Sequence, residues 1–125
     1  MKADIKTRWV TALKSGDYPQ GFGYLSVYDR DSETNTYCCL GVLCELAVAD
    51  GFVVKSSISD VRLYDDDDCS LPFAVVDWAG LHEINPRVLV DGDESDADGK
   101  AHLSEINDSH DYSFTKIADL IEQHL

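Results

Sequence analysis

The four cysteines are the residues of this chain best suited to binding a metal or acting as nucleophiles. Cys38, Cys39 and Cys44 lie close together in an apolar run, and Cys69 stands alone. A structural zinc site usually needs two closely spaced Cys or His pairs, and Cys39 and Cys44 have no second pair to match them. On a helix these two residues also lie about 140° apart. We therefore expect buried free thiols, with no metal site and no cofactor.

The acidic segment from Glu94 to Glu105 is a second candidate for metal chemistry. Its carboxylates fall at positions 1, 3, 5 and 12 of a calcium-binding loop, and Gly99 falls at position 6, where such loops turn sharply. The pattern departs from that loop by having Glu at position 1 and Ala at position 8. Asp-rich chains produce this spacing readily, so the pattern favours a solvated loop and leaves calcium binding as the alternative.

A polar cluster that could do acid–base chemistry follows, formed by Asn107, Asp108, His110 and Asp111. These residue types also build turns and helix caps, because their side chains bond to nearby backbone amides. The cluster directly precedes Ser113, which is a suitable N-cap for the last helix. We therefore expect a turn and a cap here, and we assign no catalytic residue.

Aromatic residues gather in the segment that follows the first helix: Tyr18, Phe22, Tyr24 and Tyr28. They lie next to the basic N-terminal region of the chain. If they form an exposed face on a hairpin, they would suit a protein partner, because aromatic side chains are enriched in interfaces. The alternative is that they are half-buried strand residues. We predict these four residues as a partner-binding site.

The net charge of -14 limits the partners of this protein. Ten Lys and Arg residues oppose 24 Asp and Glu, and residues 1–16 alone carry a local balance of +3. A negative field of this size repels nucleic acid and anionic membranes, so we expect no direct nucleic-acid binding and no membrane binding. Solubility, adaptation to high salt and mimicry of nucleic-acid charge all remain explanations of the acidity.

No segment has the length of a transmembrane helix. The longest apolar run, Cys38–Ala49, contains Glu45 and is shorter than the ~20 residues that a span requires. The N-terminus also has no apolar signal-peptide core, which predicts a reducing cytosol.

Apolar periodicity predicts a single domain, residues 1–125, of the α+β class, with three or four helices packed on a small, mostly antiparallel sheet. Gly41 lies inside one predicted helix, where it costs about 1 kcal/mol relative to Ala, so we expect close backbone packing there. Ala101–Ile106 fits either a helical turn or a strand. Helices are predicted at Ala3–Lys14, Cys39–Asp50, Leu71–Gly80 and from Ser113 to the C-terminus. Strands are predicted at Gly23–Tyr28, Thr36–Cys38, Phe52–Val54, Val61–Tyr64 and Arg87–Val90.

Seven short blocks in this order resemble a family of small uncharacterised proteins of tailed bacteriophages and prophages. The blocks are Trp9–Gly16, Gln20–Leu25, Tyr37–Cys44, Leu71–Pro72, Trp78–Leu81, Leu103–Asp108 and Ser113–Glu122. The most distinctive are the Cys-Cys-Leu-Gly-Val-Leu-Cys run and the Ser-Phe-x-x-Ile-Ala-Asp-x-Ile-Glu helix. The resemblance implies a phage accessory protein that acts in the host cytoplasm. It implies no reaction, cofactor or catalytic residue.

These observations favour a non-enzymatic protein that binds a host macromolecule, with a host protein as the expected partner and counter-defence as one form of this function. A small-ligand-binding or sequestering protein is the first alternative. A small enzyme with an unrecognised site is the second. The sequence leaves the oligomeric state open.

Overall fold

The computed structural model describes residues 1–90 and 97–125. Its helices are α1 (Ala3–Lys14), α2 (Cys39–Ala49), α3 (Phe73–Ala79), α4 (Leu103–Asp108) and α5 (Phe114–His124). Its strands are β1 (Ser26–Asp29), β2 (Thr34–Tyr37), β3 (Lys55–Ile58), β4 (Val61–Tyr64), β5 (Arg87–Leu89) and β6 (Lys100–His102). The calcium-loop prediction depends on Glu94 and Asp96, which lie outside the described residues.

The strands form two antiparallel sheets. The larger has the order β2-β1-β4-β3, and β5 pairs with β6 in the smaller. The segment around Gln20 extends the β2 edge through a parallel bridge to Tyr37. The predicted α+β class and the β1–β2 hairpin are therefore confirmed. The described residues form five helices instead of three or four, because the segment expected to be either a helical turn or a strand contains β6 and then α4.

Helix α2 lies at the centre of the core and packs against α1, α3 and α4. Cys38, Cys39 and Cys44 are all buried there, as predicted. Gly41 packs directly on the main chain of Leu25, and a Cβ at this position would collide with the Leu25 carbonyl oxygen. The same carbonyl accepts the Cys38 N–H at 3.1 Å. The predicted close approach at Gly41 is thus confirmed. It packs the start of α2 against the segment that immediately precedes β1.

Helices α1 and α5 pack side by side and close the core on the other side of α2. Trp9 of α1 is fully buried, and its indole N–H donates to the Cys39 carbonyl at 2.9 Å. Ser113 caps α5 as predicted, with its side chain accepting the Lys116 N–H. The Trp9 contact connects α1 to the centre of the chain, and α5 packs against α1.

Four of the five predicted strands have different bounds in the structure, and the strand predicted at Val61–Tyr64 matches β4 residue for residue. The strand predicted at Phe52–Val54 is wrong, because β3 comprises Lys55–Ile58 and Val54 lies just before it. The strand predicted to begin at Gly23 begins at Ser26. Gly23 has a φ of +87°, which is outside the β region, so extended pairing cannot start there.

Candidate functional site

The stretch from Tyr18 to Tyr28 contains no charged residue, although the whole chain has a net charge of -14. Phe22 and Tyr24 are each 41% exposed in it. Tyr28 lies beneath the Arg62 guanidinium, 6.0 Å from the ring centroid. Tyr18 packs edge-on against the buried ring of Tyr37, with centroids 5.3 Å apart. Of the four predicted partner-binding residues, the structure brings Phe22 and Tyr28 to one groove and places Tyr18 against the core.

The loop that carries Phe22 is held in place by Asn107, which is fully buried. The Asn107 Oδ1 atom accepts the Cys39 N–H at 3.2 Å and a Gln20 side-chain N–H at 3.1 Å. Its Nδ2 group donates to the Gly21 carbonyl at 2.9 Å. One side chain of α4 thereby joins the first residue of α2 to the loop immediately before Phe22. Sequence reasoning missed this role, because it treated Asn107 as part of a turn and cap before α5.

On one side of Phe22 lies a cleft of about 410 Å³. The residues that line this cleft include Phe22 and His110. The His110 imidazole packs against the Phe22 ring, with the ring centroids 4.0 Å apart and an interplanar angle of 33°. His110 has a φ of +66°, in the left-handed region that non-glycine residues seldom adopt. The Lys116 ammonium lies at the same cleft, 5.5 Å from the Tyr112 ring centroid. The cleft therefore combines stacked rings with a cationic group.

On the other side of Phe22 lies an open groove of about 420 Å³ over the β1–β2 hairpin. Val27 and Tyr28 contribute to its lining. The Arg30 Nε atom lies 2.7 Å from an Asp60 carboxylate oxygen at its edge. Phe22 thus separates two concave surfaces, one beside His110 and one beside Tyr28. We call the exposed Phe22 ring and these two surfaces the Phe22 surface.

The polar cluster that was considered for acid–base chemistry, and predicted to be a turn and a cap, does not form one chemical site. Asn107 is buried, and Asp108 accepts the Gly23 N–H at 3.1 Å. His110 packs on Phe22, and the Asp111 carbonyl accepts from the Lys116 ammonium. These groups use their hydrogen-bonding atoms to position the loop before α5 and the loop that carries Phe22. Of these four residues, Asp111 has the local contacts expected of a turn, whereas Asn107, Asp108 and His110 all contact the distant segment from Gly21 to Gly23.

The cysteines occupy two environments. Burial raises the pKa of Cys38 to about 12 and raises the pKa values of Cys39 and Cys44 well above the usual range. Cys69 is exposed, and partial desolvation together with the neighbouring Asp68 raises its pKa to about 11. All four side chains are therefore thiols at neutral pH. In residues 1–90 and 97–125, no cluster of three or more His, Cys, Asp or Glu side chains is placed to hold a metal ion.

Comparison with known proteins gives a match over the whole chain. A family model for a domain of unknown function, DUF8296, covers residues 1–125. The chain belongs to the DUF8296 family. No curated protein and no solved structure matches it. Within the described part of this DUF8296 chain, no helix is long and apolar enough to cross a bilayer.

Replacing Asn107 with Ala should destabilise the fold strongly. The change leaves the Cys39 N–H and the Gly21 carbonyl without their buried partner, and each unsatisfied group costs about 1–3 kcal/mol. We expect a loss of roughly 3 kcal/mol in the free energy of unfolding, measured by urea denaturation. Asn85→Ala is the matched control, because Asn85 bonds only to nearby Ser104 in a partly buried position. Equal losses for the two variants would contradict the role of Asn107.

Thiol labelling should distinguish Cys69 from the other three cysteines. In the native protein we expect one thiol to react with Ellman's reagent, and in denaturant all four. The labelling rate of Cys69 should rise about tenfold per pH unit from pH 8 to pH 10, because the thiolate reacts and its population is small below the raised pKa. Cys69→Ser should abolish the native reaction. Rapid native labelling of two or more thiols would contradict the buried environment of the α2 cysteines.

Proposed function

We propose that this protein is an accessory protein encoded by a phage or prophage, and that it binds a host protein through the Phe22 surface. The observation that carries this proposal is the exposed ring of Phe22, held between two concave surfaces in the uncharged stretch from Tyr18 to Tyr28. The phage origin rests on the resemblance in the seven sequence blocks. Counter-defence is one form that such binding can take in a host cell.

The Phe22 surface has the composition of a small protein interface. Interfaces typically centre on aromatic anchors and surround them with a polar rim. Here Phe22 and Tyr28 supply the rings, and the Asn107 contacts keep the loop from collapsing around Phe22. A ring that is ordered before binding costs little conformational entropy when a partner covers it. The arrangement therefore favours binding over chemistry at this position.

The charges around the Phe22 surface are mixed with an acidic excess of one, because Arg30 and Lys116 line it together with three Asp residues. Asp29 and Asp60 line the groove, and Asp111 lines the cleft. A complementary surface needs an apolar pocket for Phe22 and Lys or Arg residues around that pocket. The net charge of -14 would attract such a surface over long distances at low ionic strength. Direct nucleic-acid binding does not fit this field.

A pull-down from host lysate with a Phe22→Ala variant tests the proposal. We expect a host protein that the wild type retains to be lost from this variant, because an aromatic anchor typically contributes about 2 kcal/mol or more to binding. Phe73→Ala is the matched control, since Phe73 is 79% exposed on α3 and does not line the Phe22 surface. The retained protein should elute as NaCl is raised, because salt screens the acidic rim.

Circular dichroism and thermal unfolding should show that both alanine variants are folded. A partner that survives Phe22→Ala but disappears with Phe73→Ala would place binding on α3 instead. A lysate from which the wild type retains no protein would contradict the proposal.

A second candidate function is the binding of a small ligand in the cleft beside His110. The left-handed backbone of His110 and the packed Phe22 and His110 rings favour it, since strained residues often occur at ligand sites. The Lys116 ammonium at the same cleft would suit a small aromatic molecule with an anionic group. This second function depends on the cleft alone and requires no protein partner.

Native mass spectrometry of protein purified from infected cells tests this second candidate. A bound ligand should appear as added mass on the wild type and should be lost from Lys116→Ala, because that variant removes the cationic group. Thr115→Ala on the same exposed turn is the control. A wild-type mass equal to that of the bare chain would contradict ligand binding.

A further inference from the structure

Strand β3 forms an open edge of the larger sheet. Among residues 1–90 and 97–125 it pairs with β4 on one side only, whereas the opposite edge at β2 is extended by the Gln20 bridge to Tyr37. All four residues of β3, Lys55–Ile58, are exposed. An exposed edge strand offers a row of main-chain donors and acceptors that another strand can use. This edge is separate from the Phe22 surface and is not needed for the function proposed above.

The hydrogen bonds at the two ends of β3 identify the main-chain groups that are available. The Val54 carbonyl accepts the Asp65 N–H at 2.9 Å, and the Val54 N–H donates to the Asp65 side chain at 2.8 Å, so Val54 faces the β4 side. In an antiparallel strand the main-chain direction alternates with each residue. The N–H and C=O groups of Lys55 and Ser57 must therefore point outward, away from β4.

The edge has few of the features that usually block strand pairing. Natural edges carry proline, bulges or outward charges that prevent it. Residues 51–59 contain no proline and no carboxylate, and Lys55 is their single charged residue. The Lys55 ammonium lies 2.9 Å from the Glu45 carboxylate, so its charge is already paired within the chain. The whole chain has a net charge of -14, but this stretch has no carboxylate, so a second copy that approaches it meets little electrostatic repulsion there.

The apolar residues of this edge are arranged so that the edge is complementary to itself. Val54 is 73% exposed and Ile58 is 69% exposed, and they lie symmetrically about Ser56. In an antiparallel pair centred on Ser56, Val54 would lie opposite the partner's Ile58, and Lys55 opposite the partner's Ser57. Opposed residues share one face of a sheet, so both apolar pairs would lie on the same face. No like charges would face each other.

We propose that β3 pairs with β3 of a second copy of this chain, antiparallel, about a twofold axis at Ser56. The outward groups of Lys55 and Ser57 would then form the new hydrogen bonds, and the two four-stranded sheets would become one continuous sheet. A register centred on Ser57 is less favourable, because it puts Ile58 opposite the partner's Ser56 and leaves Val54 without an apolar neighbour. These observations thus favour a second copy of β3 as the strand that pairs with this edge, and they favour the register centred on Ser56.

Disulfide trapping tests the register. In a Cys69→Ser background, Ser56→Cys should form a covalent dimer with diamide as oxidant, since each pair of thiols gives one disulfide and two hydrogens pass to diamide. The two Ser56 positions would form a non-hydrogen-bonded pair with Cα atoms about 4.5 Å apart, which a disulfide can span. Ser57→Cys is the matched control and should not cross-link, because it lies opposite the partner's Lys55. Non-reducing gel electrophoresis measures both.

The oligomeric state tests the pairing itself. We expect light scattering after gel filtration to give twice the chain mass, with the dimer fraction rising as NaCl screens the net charge. Ser57→Pro removes an outward N–H and leaves the bonds to β4 intact, so it should give a folded monomer. A wild-type protein that stays monomeric at all concentrations would overturn the proposal. The same holds if β3 pairs with a strand of another protein and not with a second copy of this chain. Faster cross-linking of Ser57→Cys than of Ser56→Cys would also overturn it.

Discussion

One buried side chain, that of Asn107, fixes the relation between three parts of this chain that are distant in sequence. Its amide joins α4 to the first turn of α2 and to the loop at Gln20 and Gly21. Because the amide is fully buried, each of these hydrogen bonds would be costly to lose. The position of Phe22 at the surface therefore depends on a polar contact in the interior, and the Phe22 surface and the core cannot be altered independently.

The distribution of charge organises the rest of the surface. Carboxylates cover much of the chain, but the stretches 18–28 and 51–59 contain none. The first carries Phe22 and its neighbours, and the second carries the open strand β3. The sheet order places them at opposite edges, because the Gln20 segment flanks β2 and β3 lies at the far side of β4. Both stretches therefore present surface without carboxylates in a chain whose net charge is -14.

Local signals in the sequence were sufficient for most of the described helices, although not for α4, and were insufficient for the site. Periodicity and capping predicted α1, α2 and α5, and the unfavourable Gly41 predicted a close backbone contact. The position of β3 could not be predicted, because Phe52–Val54 has the stronger strand propensity and the Val54–Asp65 bonds decide where pairing begins. The roles of Asn107 and His110 depend on partners far away in the chain, and a single polar residue carries no local sign of such a partner.

The contacts at the start of α2 have a consequence for how this helix opens. Helix ends usually fray first, because their terminal amides and carbonyls have no partners within the helix. In α2 the Cys39 amide is bonded to the buried Asn107, and Gly41 packs on Leu25. The other end is held as well, because the Phe52 N–H donates to the Ala47 carbonyl and Arg8 binds the Asp50 carboxylate at 2.8 Å. That ion pair is exposed, however, and exposed ion pairs contribute little to stability. Local unfolding of α2 will therefore begin at its C-terminal end and move toward the cysteines. The N-terminal part of α2, which carries Cys39–Cys44 of the distinctive cysteine run, is therefore the last part of this helix to unfold.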